Sequence, residues 1–90
     1  ARLNIGNASL TYQEQRLDLS KNDLRILQVL LENQGSVVSR NTLMERLWET
    51  NSFIDENTLT VSVARLRKKL DAIGLTDFIS TKKGLGYVIL

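Results

Sequence analysis

The chain has 90 residues with 12 basic and 10 acidic side chains, a formal charge of +2, 42% hydrophobic and 24% charged residues, which is the balance of one globular domain rather than a disordered tail. Cysteine and histidine are absent, so disulfides, thiolate or imidazole metal sites and the commonest general base are excluded, and no cofactor or metal is expected. No apolar run approaches the roughly 20 residues of a membrane span, and a cytoplasmic location without a membrane partner fits this composition.

Residues 1–19 alternate loosely: Leu3, Ile5, Leu10, Tyr12 and Leu17 are interrupted at Gly6 and Asn7 and again at residues 13–15, a pattern of short antiparallel strands. Ser20, with Asp23 three residues on, reads as a capping box, and Leu24, Leu27, Leu30 and Leu31 follow at helical spacing until Gly35. Val37 and Val38 give a brief extended link. Ser39 caps a second helix whose Leu43, Leu47 and Trp48 form one stripe. Residues 49–56 read as a connecting loop, with Arg40 and Asp55 as an ion pair bracing it. A third helix starts at Asp55 or Asn57 and runs to about Ile73, where Gly74 stops it. Residues 78–81 and 87–90 read as the strands of a hairpin, with Gly84 and Gly86 shaping the turn.

The third helix has two faces. Leu59, Val63, Leu66, Leu70 and Ile73 make the buried stripe. Val61 and Ala64 lie opposite, among Asn57, Thr60, Arg65 and Lys68, where a solvated helix would carry long polar residues. Charge follows the same division. Residues 1–56 hold six basic and eight acidic side chains, whereas residues 57–90 hold six basic (Arg65, Arg67, Lys68, Lys69, Lys82, Lys83) and two acidic. That polarity favours an anionic partner such as nucleic acid. Catalysis finds little support: Asp55 and Glu56 are the only adjacent carboxylates, and sequence neighbours point apart. A phosphate-binding G-x-G-x-x-G beginning at Gly84 fails at Ile89.

Three short helices followed by a basic hairpin make a winged helix-turn-helix, whose last helix enters the major groove. A groove about 12 Å wide admits a helix closely only where its central side chains are small, which accounts for Val61 and Ala64. Arg65 then reaches guanine O6 and N7 with its forked guanidinium, and Thr60 donates to or accepts from a base edge. Arg67 and Lys68 suit phosphates, as do Thr58 and Ser62 on either side, while Lys83 at the hairpin tip enters the minor groove. Each residue has a plainer reading. Val61 packs on a partner protein, Arg65 and Arg67 are ordinary exposed cations, Lys82 and Lys83 solubilise an edge hairpin, and Trp48 closes the core instead of offering its indole N–H to a phosphate. The alternative function is thus a winged helix that docks a protein and binds no DNA.

The segments "SRNTLMERLW", "NTLTVSVARLRKKL" and "ISTKKGLGYVI" resemble the OmpR/PhoB-type effector domain of bacterial two-component response regulators, and "RLRKKL" followed by "GLGY" is the most distinctive part. The resemblance implies an α+β fold over residues 1–90: an N-terminal four-stranded antiparallel sheet, three helices, a short strand near Val37 and Val38, and a C-terminal hairpin wing. By position it puts base contacts on Thr60, Val61, Ala64 and Arg65 of a recognition helix at 57–73. Phosphate contacts fall on Trp48, Asn57, Thr58, Ser62, Arg67, Thr81 and Tyr87, and the minor-groove contact on Lys83 of a wing at 82–86. Several members carry Arg where this chain has Ala64 and Lys83, and a carboxylate at Thr60. The family further implies transcriptional regulation by two copies bound head to tail on direct repeats, and contact with RNA polymerase through loop 49–56. It also implies control by a sensor histidine kinase through a receiver domain, which nothing in these residues matches; the start at Ala1 fits a fragment. The wording is also similar to regulators of cell-envelope and antimicrobial-peptide responses.

Overall fold

Two small antiparallel sheets flank three helices in a computed structural model that describes residues 1–49 and 54–90. Strands β1 (Arg2–Asn4), β2 (Ser9–Tyr12) and β3 (Gln15–Asp18) form a meander. Leu3 pairs with Leu10 and Leu10 with Leu17, so a row of leucines crosses the sheet on one face. The β2–β3 turn uses Gln13 and Glu14, both left-handed at φ 48° and 66°, the two-residue hairpin geometry whose twist matches its strands.

This sheet has three strands, not the four that the resemblance implies. Residues 13 and 14 are consumed by the turn, Leu19 ends the pairing by donating its N–H to the Ala8 carbonyl at 2.9 Å, and Ser20 already caps a helix. Only three paired stretches remain between Arg2 and Asp18.

Helix α1 (Lys21–Glu32) begins with the expected capping box: Ser20 Oγ accepts the Asp23 N–H at 3.1 Å, and Asp23 Oδ2 accepts the Ser20 N–H at 3.2 Å. Helix α2 (Arg40–Trp48) is capped by Ser39, and α3 (Glu56–Ala72) by Asp55, whose carboxylate accepts the Thr58 N–H at 2.8 Å. After the cap residue Ile73, Gly74 (φ +94°) and Leu75 return N–H groups to Asp71 and Leu70 carbonyls, closing the end of α3 with a buried Leu75.

The core joins all three helices. Ile26, Leu27, Val29 and Leu30 of α1 meet Leu43, Met44 and Leu47 of α2 and Leu59, Val63, Leu66 and Leu70 of α3 in one buried cluster. Each fully buried leucine contributes about 2 kcal/mol by its removal from water. Two expectations shift here. Ile26 and Val29 replace Leu24 and Leu31 at the centre of the α1 stripe, and Met44 takes the place expected of Trp48, which is 45% exposed.

Strands β4 (Val38–Ser39), β5 (Ser80–Lys82) and β6 (Gly86–Val88) form the second sheet in the order β4-β6-β5. The wing hairpin is therefore shorter than the 78–81 and 87–90 expectation and shifted at both strands. Gly86 is what lets it close. At φ +151° its backbone lies so near β4 that a Cβ would come within 2.0 Å of the Val38 carbonyl oxygen.

Candidate nucleic-acid interface

The seventeen residues of α3 divide by exposure as their spacing requires. Leu59, Val63, Leu66 and Leu70 are at most 1% exposed, whereas Asn57, Thr58, Thr60, Val61, Ala64, Arg65 and Lys68 all face solvent. Val61 is 46% exposed, an apolar side chain with no core to cover it. Ser62 and Arg67 lie half-buried at the edge between the two faces.

The wing is tied to this helix through an aromatic ring. Tyr87 of β6 is 3% exposed, and the guanidinium carbons of Arg40 and Arg67 stand 5.6 and 5.8 Å from its ring centroid. Arg67 also donates from Nε to the Ile79 carbonyl at 3.1 Å and from Nη2 to Thr81 Oγ1. One α3 side chain thus grips the approach to β5, β5 itself and β6. Across the turn, the Leu85 N–H bonds to the Lys82 carbonyl at 2.8 Å, Gly84 takes φ +77°, and Lys82, Lys83 and Leu85 are exposed at the tip.

Arg40 departs from the sequence reading. It donates to the Glu56 carbonyl and to Thr60 Oγ1, so it braces the start of α3 without pairing with Asp55, whose carboxylate is occupied as the helix cap. Asp55 lies below its ordinary pKa because first the Thr58 N–H and then the Thr58 hydroxyl donate to the ionised form. Thr60 in turn donates its hydroxyl to the Glu56 carbonyl at 3.0 Å.

The indole N–H of Trp48 is committed to the Ile54 carbonyl at 3.1 Å, where the sequence reading offered it to a phosphate or buried its ring in the core. Its acceptor lies six residues on, beyond the end of α2, where helical spacing supplies no partner. The loop 49–56 that the resemblance assigns to RNA polymerase has its middle, residues 50–53, outside the described residues.

Among the described residues, ion pairs join Arg16 to Asp18, Arg46 to Glu32 and Glu49, and Lys69 to Asp23. Every other cation of α3 and the wing, namely Arg65, Arg67, Lys68, Lys82 and Lys83, pairs with no carboxylate among them. The one exception is structural. Lys69 Nζ lies 2.6 Å from the buried Asp23 carboxylate and fastens α3 to the cap of α1. A cleft of about 430 Å³ beside the second half of α3 is lined by Asp71 and Asp77 as well as Arg67 and Lys82, with no nucleophile and base in hydrogen-bond contact. Among the described residues no cluster of carboxylates, or of other candidate ligands, is arranged to hold a metal, and no helix is long and apolar enough to cross a membrane.

A small-centred, cation-edged helix beside a basic hairpin defines a winged-helix nucleic-acid-binding module. Residues 14–89 match the family described as "Transcriptional regulatory protein, C terminal", and the chain belongs to that family, the OmpR/PhoB-type DNA-binding domains of two-component response regulators. It is a family of DNA-binding transcriptional regulators and not a class of enzymes. The chain is 42% identical over 88 residues to the response regulator protein GraR of Staphylococcus saprophyticus, a match covering 98% of this chain and 39% of that protein. Among solved structures it is similar to the C-terminal domain of the nisin resistance regulator NsrR, a lantibiotic response regulator, with 43% identity, a TM-score of 0.86 and coverage of 98% and 89% of the two chains. The DNA-binding domain of the response regulator AdeR, solved in complex with an intercistronic region, matches at 25% identity and a TM-score of 0.86 over 98% of this chain and 90% of that one.

Proposed function

We propose that this domain reads double-stranded DNA with α3 (Glu56–Ala72), which holds the recognition helix expected at 57–73, in the major groove and the wing of residues 82–86 over the neighbouring minor groove. Thr60, Val61, Ala64 and Arg65 face base edges. Asn57, Thr58, Ser62, Arg67, Lys68, Thr81 and Tyr87 line the path of the phosphates, and Lys83 enters the minor groove. The observation that carries this reading is the set of cations on α3 and the wing without carboxylate partners, surrounding an exposed valine and an alanine at the helix centre. A buried Tyr87 still serves the phosphate path, since it holds two guanidinium groups at the seam between helix and wing.

The likeness to GraR and NsrR extends the proposal to the longer protein. There the domain is the output unit of a cytoplasmic two-component regulator, switched through a phosphoacceptor receiver by a sensor histidine kinase. It acts as two copies head to tail on direct repeats about one helical turn apart, with loop 49–56 available to RNA polymerase. Regulation of resistance to antimicrobial peptides is the physiological setting that NsrR suggests.

Titration of duplex binding against salt tests the central claim. With about three to five cationic contacts, log affinity falls against log salt with a slope of roughly −3 to −4 per domain. A protein-docking winged helix would give a nearly flat line.

A further inference from the structure

Thr60 offers DNA less than its side chain suggests. A threonine hydroxyl has one hydrogen to donate and two lone pairs to accept with. Here the hydrogen goes to the Glu56 carbonyl at 3.0 Å, one turn back along α3, and one lone pair receives the Arg40 guanidinium. Nothing remains to donate to guanine N7 or O6, and an approaching base N–H would share the last lone pair with a cation already in place. The methyl group is the part of this exposed side chain without an internal bond.

Arg40 decides that outcome. Threonine in a helix divides between two rotamers, because either allows its hydroxyl to reach a carbonyl of the preceding turn. Arg40 is itself held by the Tyr87 ring and by the Glu56 carbonyl, so it presents its Nη2 from one direction and selects the rotamer that meets it. We infer that Thr60 reads a thymine by touching its C5-methyl group, with no hydrogen bond to the base, and that Arg40 is the positioning residue that fixes this mode. The inference rests on α3 lying in the major groove, the only groove where that methyl is displayed.

The test uses the 90-residue chain and a duplex selected by it from a random pool, with thymines replaced one at a time by deoxyuridine, which lacks only the methyl group. At one position the unaltered chain loses about fourfold in affinity, the worth of one buried methyl group. Thr60→Val, which keeps the methyl and discards the hydroxyl, shows the same fourfold loss at that position. Thr60→Ser binds the thymine and uracil duplexes alike. Arg40→Gln reduces the ratio to below about twofold, whatever it does to overall affinity, because the ratio cancels any phosphate contact it removes. The inference is overturned if Thr60→Ser keeps the thymine preference while Thr60→Val loses it, since the hydroxyl would then be the reader. It is equally overturned if no deoxyuridine substitution responds to residue 60. A chain that prefers no duplex at all would overturn the DNA-reading proposal itself, and this inference with it.

Discussion

Arg65 and Lys68 sit one turn apart on the same exposed face, yet they are assigned different work. Arg65 is adjacent to the small centre formed by Val61 and Ala64, where the proposed docking brings the backbone to the base edges, and its planar fork matches guanine. Lys68 lies a further turn along, where the proposed docking brings the groove wall up to the phosphates, and an ammonium on a flexible stem suits a charge without direction. Arg65→Ala should therefore cost about 1 to 3 kcal/mol on the selected duplex and little on a scrambled one, relaxing the choice at a single base pair. Lys68→Ala should weaken both duplexes alike and reduce the salt slope by about one. Competition binding at two salt concentrations separates the two patterns, and equal losses for Arg65→Ala on both duplexes would remove its base-reading role. The exposure of both side chains was legible because the outward face of a helix follows from spacing alone. The partners of Arg40 and Trp48 were not, since neither is a neighbour that helical spacing supplies: Thr60 lies twenty residues from Arg40, and Ile54 lies six residues from Trp48, beyond the end of α2.

At the scale of the elements, helix starts were readable and strand extents were not. Ser20, Ser39 and Asp55 each cap their helix through a residue three positions on, a purely local signal. Removing the Ser20 hydroxyl with Ser20→Ala should lower unfolding free energy by about 1 kcal/mol, measured by urea denaturation. The Asp55 cap is in addition sensitive to pH. Its ionised form is the one that accepts the Thr58 bonds, so its pKa is lower folded than unfolded. The stability it adds is complete above the ordinary aspartate pKa, about 4, and is lost as pH falls through the lowered value. The Thr58 amide proton should accordingly lose protection on acidification below about pH 4, whereas Asp55→Ser, a cap that does not titrate, should keep it there. Strand limits depend instead on which distant segment supplies the pairing. The wing is the clear case: β6 is positioned by β4, some forty-eight residues earlier, and its register puts Ser39 opposite Gly86. Gly86→Ala drives a methyl into the Val38 carbonyl at a backbone angle that side chains avoid, and should cost about 3 kcal/mol or more in thermal unfolding.

For the whole molecule, the question is how the angle between α3 and the wing is set when the wing's sheet has strands of only two and three residues. Such short strands are marginal alone. The angle is set by side chains that cross between elements: Asp23 and Lys69 fix α3 against α1, and Tyr87 carries Arg40 on behalf of α2 and Arg67 on behalf of α3. Arg67 makes the most of these ties, reaching the Ile79 carbonyl, Thr81 and the Tyr87 ring with one guanidinium. Lysine retains the charge but not the planar fork, so Arg67→Lys isolates the geometric part of its role. The variant should lose about 1 kcal/mol of stability, the net worth of a hydrogen bond that no longer forms. Its wing should loosen more than its core. Exchange of the Leu85 N–H, which closes the turn, should quicken several-fold while amides in the middle of α1 stay unchanged. On DNA the same variant should retain most of its affinity for the major-groove half-site but lose preference for A·T pairs beside it, because Lys83 would no longer be delivered at a fixed angle. Should Leu85 exchange at its original rate and the A·T preference persist, the wing is held by its strand pairing alone, and Arg67 acts on DNA only through its charge.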